Sequence, residues 1–186
     1  MRQLEAEQPV GKFDSGVGGL TDAHSIKSLL PREKIVYFGD TFNLPYGDKS
    51  SESVSYYARR ISDFLLENDC KTVLIACNTA SSSAYDEVVE HVAGRAIVLN
   101  VVDPVVSLVS GKHKDGRIGV IGTKGTINSH TYETKIRQKN ASLEVISMAT
   151  PLFVPMIEEG FIYDDISNAI IRAYLSDKRF RDIHTL

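Results

Sequence analysis

KTVLIACNTAS, Lys71 to Ser81, decides how this chain reads. Its apolar run TVLIA (72–76) is short, mostly aliphatic and bounded by polar residues, the pattern of a strand buried on both faces. The run ends abruptly in Cys77, followed by the amide of Asn78 and the hydroxyl of Thr79. A helical pattern, Ala80 to Val92, begins at once. A strand, a small polar turn and a helix in that order make up the first half of a βαβ unit.

The same alternation runs along the rest of the chain. Short apolar runs stand at VGKF (10–13), KIVYFG (34–39), AIVLNV (96–101), RIGVIG (117–122) and LEVISM (143–148). Helical patterns lie between them at Leu20 to Leu30, Val54 to Leu66 and Thr126 to Gln138, with Asn140 as a C-cap. Tyr57, Ile61, Phe64 and Leu65 are expected on one face of the second helix. Right-handed βαβ units with parallel strands follow, so the fold class is α/β. Three units precede residues 97–104 and a second set follows. Two similar domains are therefore expected, 1–98 and 99–186, the second incomplete. After a helical stretch from Asp164 to Tyr174, DIHTL (182–186) reads as the start of another strand.

The 186 residues are 42% hydrophobic and 24% charged, with a net charge of −3. That composition fits a globular protein and gives no reason to expect nucleic acid or an anionic membrane as partner. The start, MRQLEAEQ, lacks the apolar core of a secretory signal, and no apolar run reaches the roughly 18 residues of a membrane span. Two cysteines without a CxxC pair point to a reducing compartment, so the expected location is cytoplasmic. The five histidines are scattered, none at metal-ligand spacing from another, and no metal is expected.

Ligands of open parallel sheets bind beyond the carboxyl ends of the strands. The residues there are Asp14-Ser15-Gly16-Val17-Gly18-Gly19, Asp40-Thr41 with Pro45-Tyr46-Gly47, Cys77-Asn78-Thr79, Asp103-Pro104, and Thr123 with Gly125-Thr126. Five successive loops of small, polar or acidic residues are expected on one side of one sheet. DSGVGG matches neither GxGxxG nor a P-loop, so a nucleotide reading is weak. Asp14 can cap the following helix or face the crevice and assist a proton transfer. Cys77 can be a small buried residue, as free cysteines often are. Its place between a strand end and a helix start favours chemistry, because a helix N-terminus lowers a thiol's pKa. Cys70 lies seven residues earlier, at the opposite edge of the sheet at roughly 3.3 Å per residue, and reads as structural.

With those residues in view, the chain resembles the glutamate racemase family of the cofactor-independent aspartate/glutamate racemase superfamily. FDSGVGGLT (13–21), GDTFNLPYG (39–47), ACNTAS (76–81), GRIGVIGTKGTINS (116–129) and PLFVPMIEEG (151–160) carry the resemblance. It implies two α/β domains facing each other with glutamate between them, and an isomerase that needs no cofactor. Two thiols, one per domain, would flank the α-carbon, one removing the α-proton and the other delivering a proton to the opposite face. It further implies Cys77 as the first-domain catalytic thiol, Asp14 as the carboxylate assisting it, and Glu158 as an assisting acid on the second side. Asp14, Ser15, Tyr46, Gly47, Asn78 and Thr79 match substrate-binding positions. D-Glutamate supply for peptidoglycan, and so for cell-wall biogenesis and cell shape, is the role implied. A homodimer is one assembly the resemblance allows.

Two departures stand out. The family's second cysteine lies in a GCTHYP motif that DIHTL stops short of, so the chain is expected to lack the second acid/base and to exchange an α-proton from one face without racemising. Lys12 and Asp22 also occupy positions where the family is apolar. An isolated buried charge is very costly, so the two are expected to pair or to reach solvent. An aspartate racemase of the same superfamily, and a pseudoenzyme that binds an acidic amino acid without catalysis, are the rival readings.

Overall fold

The computed structural model describes residues 4–161 and 165–186. The first residues of MRQLEAEQ and Asp164, the expected start of the last helix, lie outside them. Two compact units divide the chain, Met1–Val102 and Asp103–Leu186.

The first unit is a four-stranded parallel sheet. It contains β1 (Val10–Asp14), β2 (Ile35–Gly39), β3 (Thr72–Ile75) and β4 (Ile97–Asn100), in the spatial order β2-β1-β3-β4. Helix α1 (Leu20–Leu29) joins β1 to β2, and α2 (Ser51–Glu67) leads from β2 to β3. Ser50 starts α2 by accepting from the Ser53 N–H, which satisfies an amide the helix itself cannot. Val54, Ala58, Ile61 and Leu65 of α2 form its buried stripe. They join Phe13, Val73 and Ile75 in the core, each large apolar side chain contributing roughly 1.5–3 kcal/mol. Of the four residues expected on one face, Ile61 and Leu65 lie on this stripe. Phe64 remains 39% exposed, and Tyr57 packs partly buried against the core.

The helix expected over Ala80 to Val92 is two helices, α3 (Asn78–Ser83) and α4 (Tyr85–Val92), parted at Ala84. The hydroxyls of Ser81 and Ser83 donate to the carbonyls of Ile75 and Thr79, and such side-chain bonds compete with the helical ladder. Gly11 packs against Thr72 at the start of β3 and against Cys70 two residues before it. A methyl group there would stand 2.6 Å from the Thr72 carbonyl oxygen and 2.9 Å from Cys70 Cβ. Gly11→Ala is expected to cost about 1–3 kcal/mol, the usual range for overpacking. Thermal unfolding checks this, and an unchanged midpoint would contradict the packing described.

The second unit begins with α5 (Val102–Lys112) and pairs β5 (Gly116–Gly122) in parallel with β6 (Leu143–Ala149). Between them α6 (Lys124–Asn128) and α7 (Thr131–Lys139) replace the single helix expected over Thr126 to Gln138, because His130 adopts a left-handed backbone. Asn140 ends α7 as expected, its amide donating to the carbonyls of His113 and Lys114. Helices α8 (Phe153–Glu158) and α9 (Asp165–Leu175) follow. DIHTL does begin to pair: Thr185 bridges Ile118 in parallel, and the Gly119 amide donates to the Thr185 carbonyl.

One expectation is corrected here. The five polar loops do not share one sheet, because β5 pairs with β6 in a sheet of its own. The loops after β1, β2, β3 and β4 alone stand on one sheet. No helix among the described residues is long and apolar enough to cross a membrane.

Candidate functional site

The carboxyl ends of β1, β2 and β3 are neighbours by the sheet order, and the site is built on them. Asp14, the last residue of β1, is 8% exposed. Its two oxygens accept from the backbone N–H of Ser15 at 2.8 Å and of Gly19 at 2.7 Å. The carboxylate thereby closes the DSGVGG turn and anchors the first turn of α1. The turn is also held from β2, where the Tyr37 hydroxyl donates to the Gly16 carbonyl at 2.9 Å. Burial, then the charges of Asp14 and Asp22, push that phenol up to about 12.

Cys77 follows β3 and caps α3. Its sulfur accepts from the Ala80 N–H at 3.5 Å, and its thiol donates to the Ser15 hydroxyl at 3.4 Å. DSGVGG and ACNTAS, 62 residues apart, thus meet through the Ser15–Cys77 bond. Only 7% of Cys77 is exposed.

The expectation of a depressed thiol pKa is corrected. Burial raises it above the ordinary 9.0. The Ser15 hydroxyl and the Ala80 and Thr79 amides pull it down, and the Asp14 charge pushes it up. Helix α3 has only 6 residues, so its end carries too little field to outweigh desolvation. The thiolate is the reactive form, and below a thiol's pKa its fraction grows about tenfold per pH unit. Alkylation of Cys77 by iodoacetamide is therefore expected to keep rising with pH beyond 9, followed by peptide mass spectrometry. A plateau near neutral pH would contradict it.

Past β2, Asp40 is buried and accepts from the Tyr46 hydroxyl at 2.6 Å and from the Asn43 amide at 3.0 Å. These bonds fold the loop onto the 3₁₀ turn Tyr46–Asp48, where Tyr46 and Gly47 are buried. The Tyr46 phenol is raised, first by burial, then by its bond to Asp40, with smaller contributions from the Asp40 and Cys77 charges. It is a fixed neutral donor. Asp40 has a role the sequence reading left unassigned. The available signal was a carboxylate just past a strand, with Asn and Tyr three and six residues on.

The fold places Asp14, Ser15, Tyr46, Gly47, Cys77, Asn78 and Thr79 in the loops at one end of the first unit's sheet. Thr79 is buried and Asn78 exposed. Glu158 is not among them: it ends α8 in the second unit and is exposed. Cys70 lies at the other end of the sheet, buried and packed beside Gly11. Among the described residues no group of three His, Cys, Asp or Glu side chains could hold a metal ion.

Lys12 and Asp22 do pair, at 3.2 Å. Lys12 is fully buried and the Asp22 side chain is 55% exposed. The Lys12 ammonium also donates to the Gly19 carbonyl at 2.7 Å. Its pKa is lowered, burial outweighing Asp22 and Asp14.

No family model matches the chain. Among curated relatives, glutamate racemase of Chlorobaculum parvum is 44% identical over 184 residues, which are 99% of this chain and 67% of the relative. The glutamate racemase of Geobacter metallireducens is 42% identical over 177 residues, 95% of this chain and 65% of the relative. Among solved structures, glutamate racemase of Francisella tularensis in complex with D-glutamate aligns with a TM-score of 0.85 and 41% identity, over 92% of this chain and 65% of that one. The chain thus spans about two thirds of the length of the proteins it matches.

Proposed function

We propose that this chain, which belongs to the glutamate racemase family, uses Cys77 to take the α-proton of glutamate held at the ends of β1, β2 and β3. The family's proteins are amino-acid racemases. The observation that carries the reading is the Ser15–Cys77 contact, which puts a buried thiol beside the turn closed by Asp14. The relative of known structure that holds D-glutamate supports the choice of substrate.

The chemistry is a proton transfer. The thiolate sulfur forms a bond to the α-hydrogen, and the C–H electron pair stays on the α-carbon. That carbon is a very weak acid, so the charge moving onto the substrate carboxylate must be met by fixed donors in a site closed to water. Within the proposal, Ser15, Asn78, Thr79 and the Tyr46–Gly47 turn hold the substrate. Asp14 assists Cys77 and faces the substrate amino group. Glu158 assists on the second side.

Inversion requires a second acid on the opposite face of the carbon, since one base returning its own proton restores the same enantiomer. Of the two cysteines in these 186 residues, Cys70 is remote from the site. The 186 residues by themselves would then exchange the α-proton of one enantiomer with solvent and produce little of the other. Supply of D-glutamate to peptidoglycan in the cytoplasm is the role proposed for the family activity.

Glutamate should protect Cys77 from iodoacetamide, read at the Cys77 peptide, with aspartate protecting less. Equal alkylation with and without millimolar glutamate would refute the substrate assignment.

A further inference from the structure

Lys12 sits in the middle of β1 with its side chain wholly out of solvent. Its strand neighbours are Tyr37 of β2 on one side and Leu74 of β3 on the other. The charged and titratable groups facing it are Asp14 on its own strand, Asp22 on α1 and Tyr37; the β3 neighbour supplies none. A lysine in so dry a place has to be held by acceptors, and it has two. Asp22 takes one hydrogen bond and the Gly19 carbonyl the other.

The second acceptor is the informative one. The Gly19 carbonyl already accepts from the Ala23 amide of α1, so it does not need Lys12 to be satisfied. On the other side of the same residue, the Gly19 N–H donates to Asp14. Gly19 is therefore gripped at both its N–H and its carbonyl, by two residues of one strand. The turn that runs from Asp14 to Gly19 carries Ser15, whose hydroxyl meets the Cys77 thiol.

We propose that Lys12 is a positioning residue for the Cys77 site: its buried ammonium, bonded to the Gly19 carbonyl and charge-paired with Asp22, fixes the Asp14–Gly19 turn and so keeps Ser15 on the thiol. This role rests on the reading of Cys77 as the proton-transfer group. The bland alternative is an ion pair that only stabilises the fold. The two differ in what they do to the thiol. Loss of the Ser15 bond removes a group that stabilises the thiolate, so the thiol titrates at higher pH.

The test is the pH profile of Cys77 alkylation by iodoacetamide in the full chain without glutamate, read at the Cys77 peptide. Lys12→Met keeps the length and apolar stem of the side chain but cannot donate. It is expected to move the profile up by about one pH unit, which slows alkylation at pH 8 about tenfold because the thiolate fraction falls by a decade. A folded Lys12→Met chain with the wild-type profile, whatever its thermal midpoint, overturns the proposal. Should that variant fail to fold, Asp22→Asn takes its place. It removes only the counter-charge, which weakens the hold on the ammonium, and a two- to threefold slowing in the same direction is expected. An unchanged profile in Asp22→Asn then overturns the proposal. Because neither readout involves glutamate, failure here leaves the substrate assignment standing, and failure of glutamate protection leaves this profile standing.

Discussion

Cys77→Ala is expected to abolish exchange of the glutamate α-proton with solvent, lowering the rate by at least about 10³-fold, within the range lost when a general base is removed. The fold should tolerate the change. Cys77 contributes a small side chain to the core, its backbone already has strand-end geometry before α3, and the hydrogen bonds lost at sulfur, at 3.4 and 3.5 Å, are weak because sulfur is a weak donor and acceptor. Circular dichroism and glutamate binding should therefore survive while exchange does not. That separation distinguishes a base from a residue that merely fills space. A pseudoenzyme would also bind glutamate after the substitution, but its wild-type chain would exchange nothing.

The second large effect is expected from Asp14→Asn. The carboxylate accepts from two backbone amides, those of Ser15 and Gly19. An asparagine can satisfy only one of them, because its other terminal atom is itself a donor. One buried N–H is left without a partner, at about 1–3 kcal/mol. Exchange should fall further than stability does, by about 10²-fold or more, because the turn that carries Ser15 loses a fixed point and the assisting charge is gone. Exchange and thermal unfolding measured on the same preparation separate the two effects. A variant that loses stability alone would make Asp14 a cap and nothing more.

The same residues show what can be read from sequence and what cannot. The six strands among the described residues were legible because each is a short apolar run between polar turns, which few other structures produce. The spatial order β2-β1-β3-β4 within the first sheet was not legible, since pairing depends on residues far apart in the chain. Helices α5 and α8 are not among the expected helices; each carries a proline in its first turn, Pro104 and Pro155, where proline is tolerated. The breaks at Ala84 and His130 depend on side-chain hydrogen bonds and a left-handed residue, which helical periodicity does not encode.

At the site, position was legible and electrostatics was not. Cys77 at a strand end and Asp14 in a glycine-rich turn could be found by spacing. Their contact through Ser15 follows once β1 and β3 are adjacent. The upward push on the Cys77 thiol depends on burial, which three dimensions decide, and the short α3 cannot reverse it. For the reaction, a raised thiol pKa means a stronger base once it is ionised, which suits so weak an acid as an α-proton. It also means that few molecules hold the thiolate at neutral pH unless bound substrate changes the balance.

Solvent-deuterium incorporation tests the central claim most directly. The 186-residue chain is incubated with L-glutamate and, separately, with D-glutamate in deuterated water. The α-position is followed by proton NMR and the enantiomer by chiral chromatography. Deuterium is expected to enter one enantiomer only, with little conversion to the other, and to stop entering in Cys77→Ala. Deuterium entering neither enantiomer, or entering undiminished without Cys77, would contradict the assignment of Cys77 as the base.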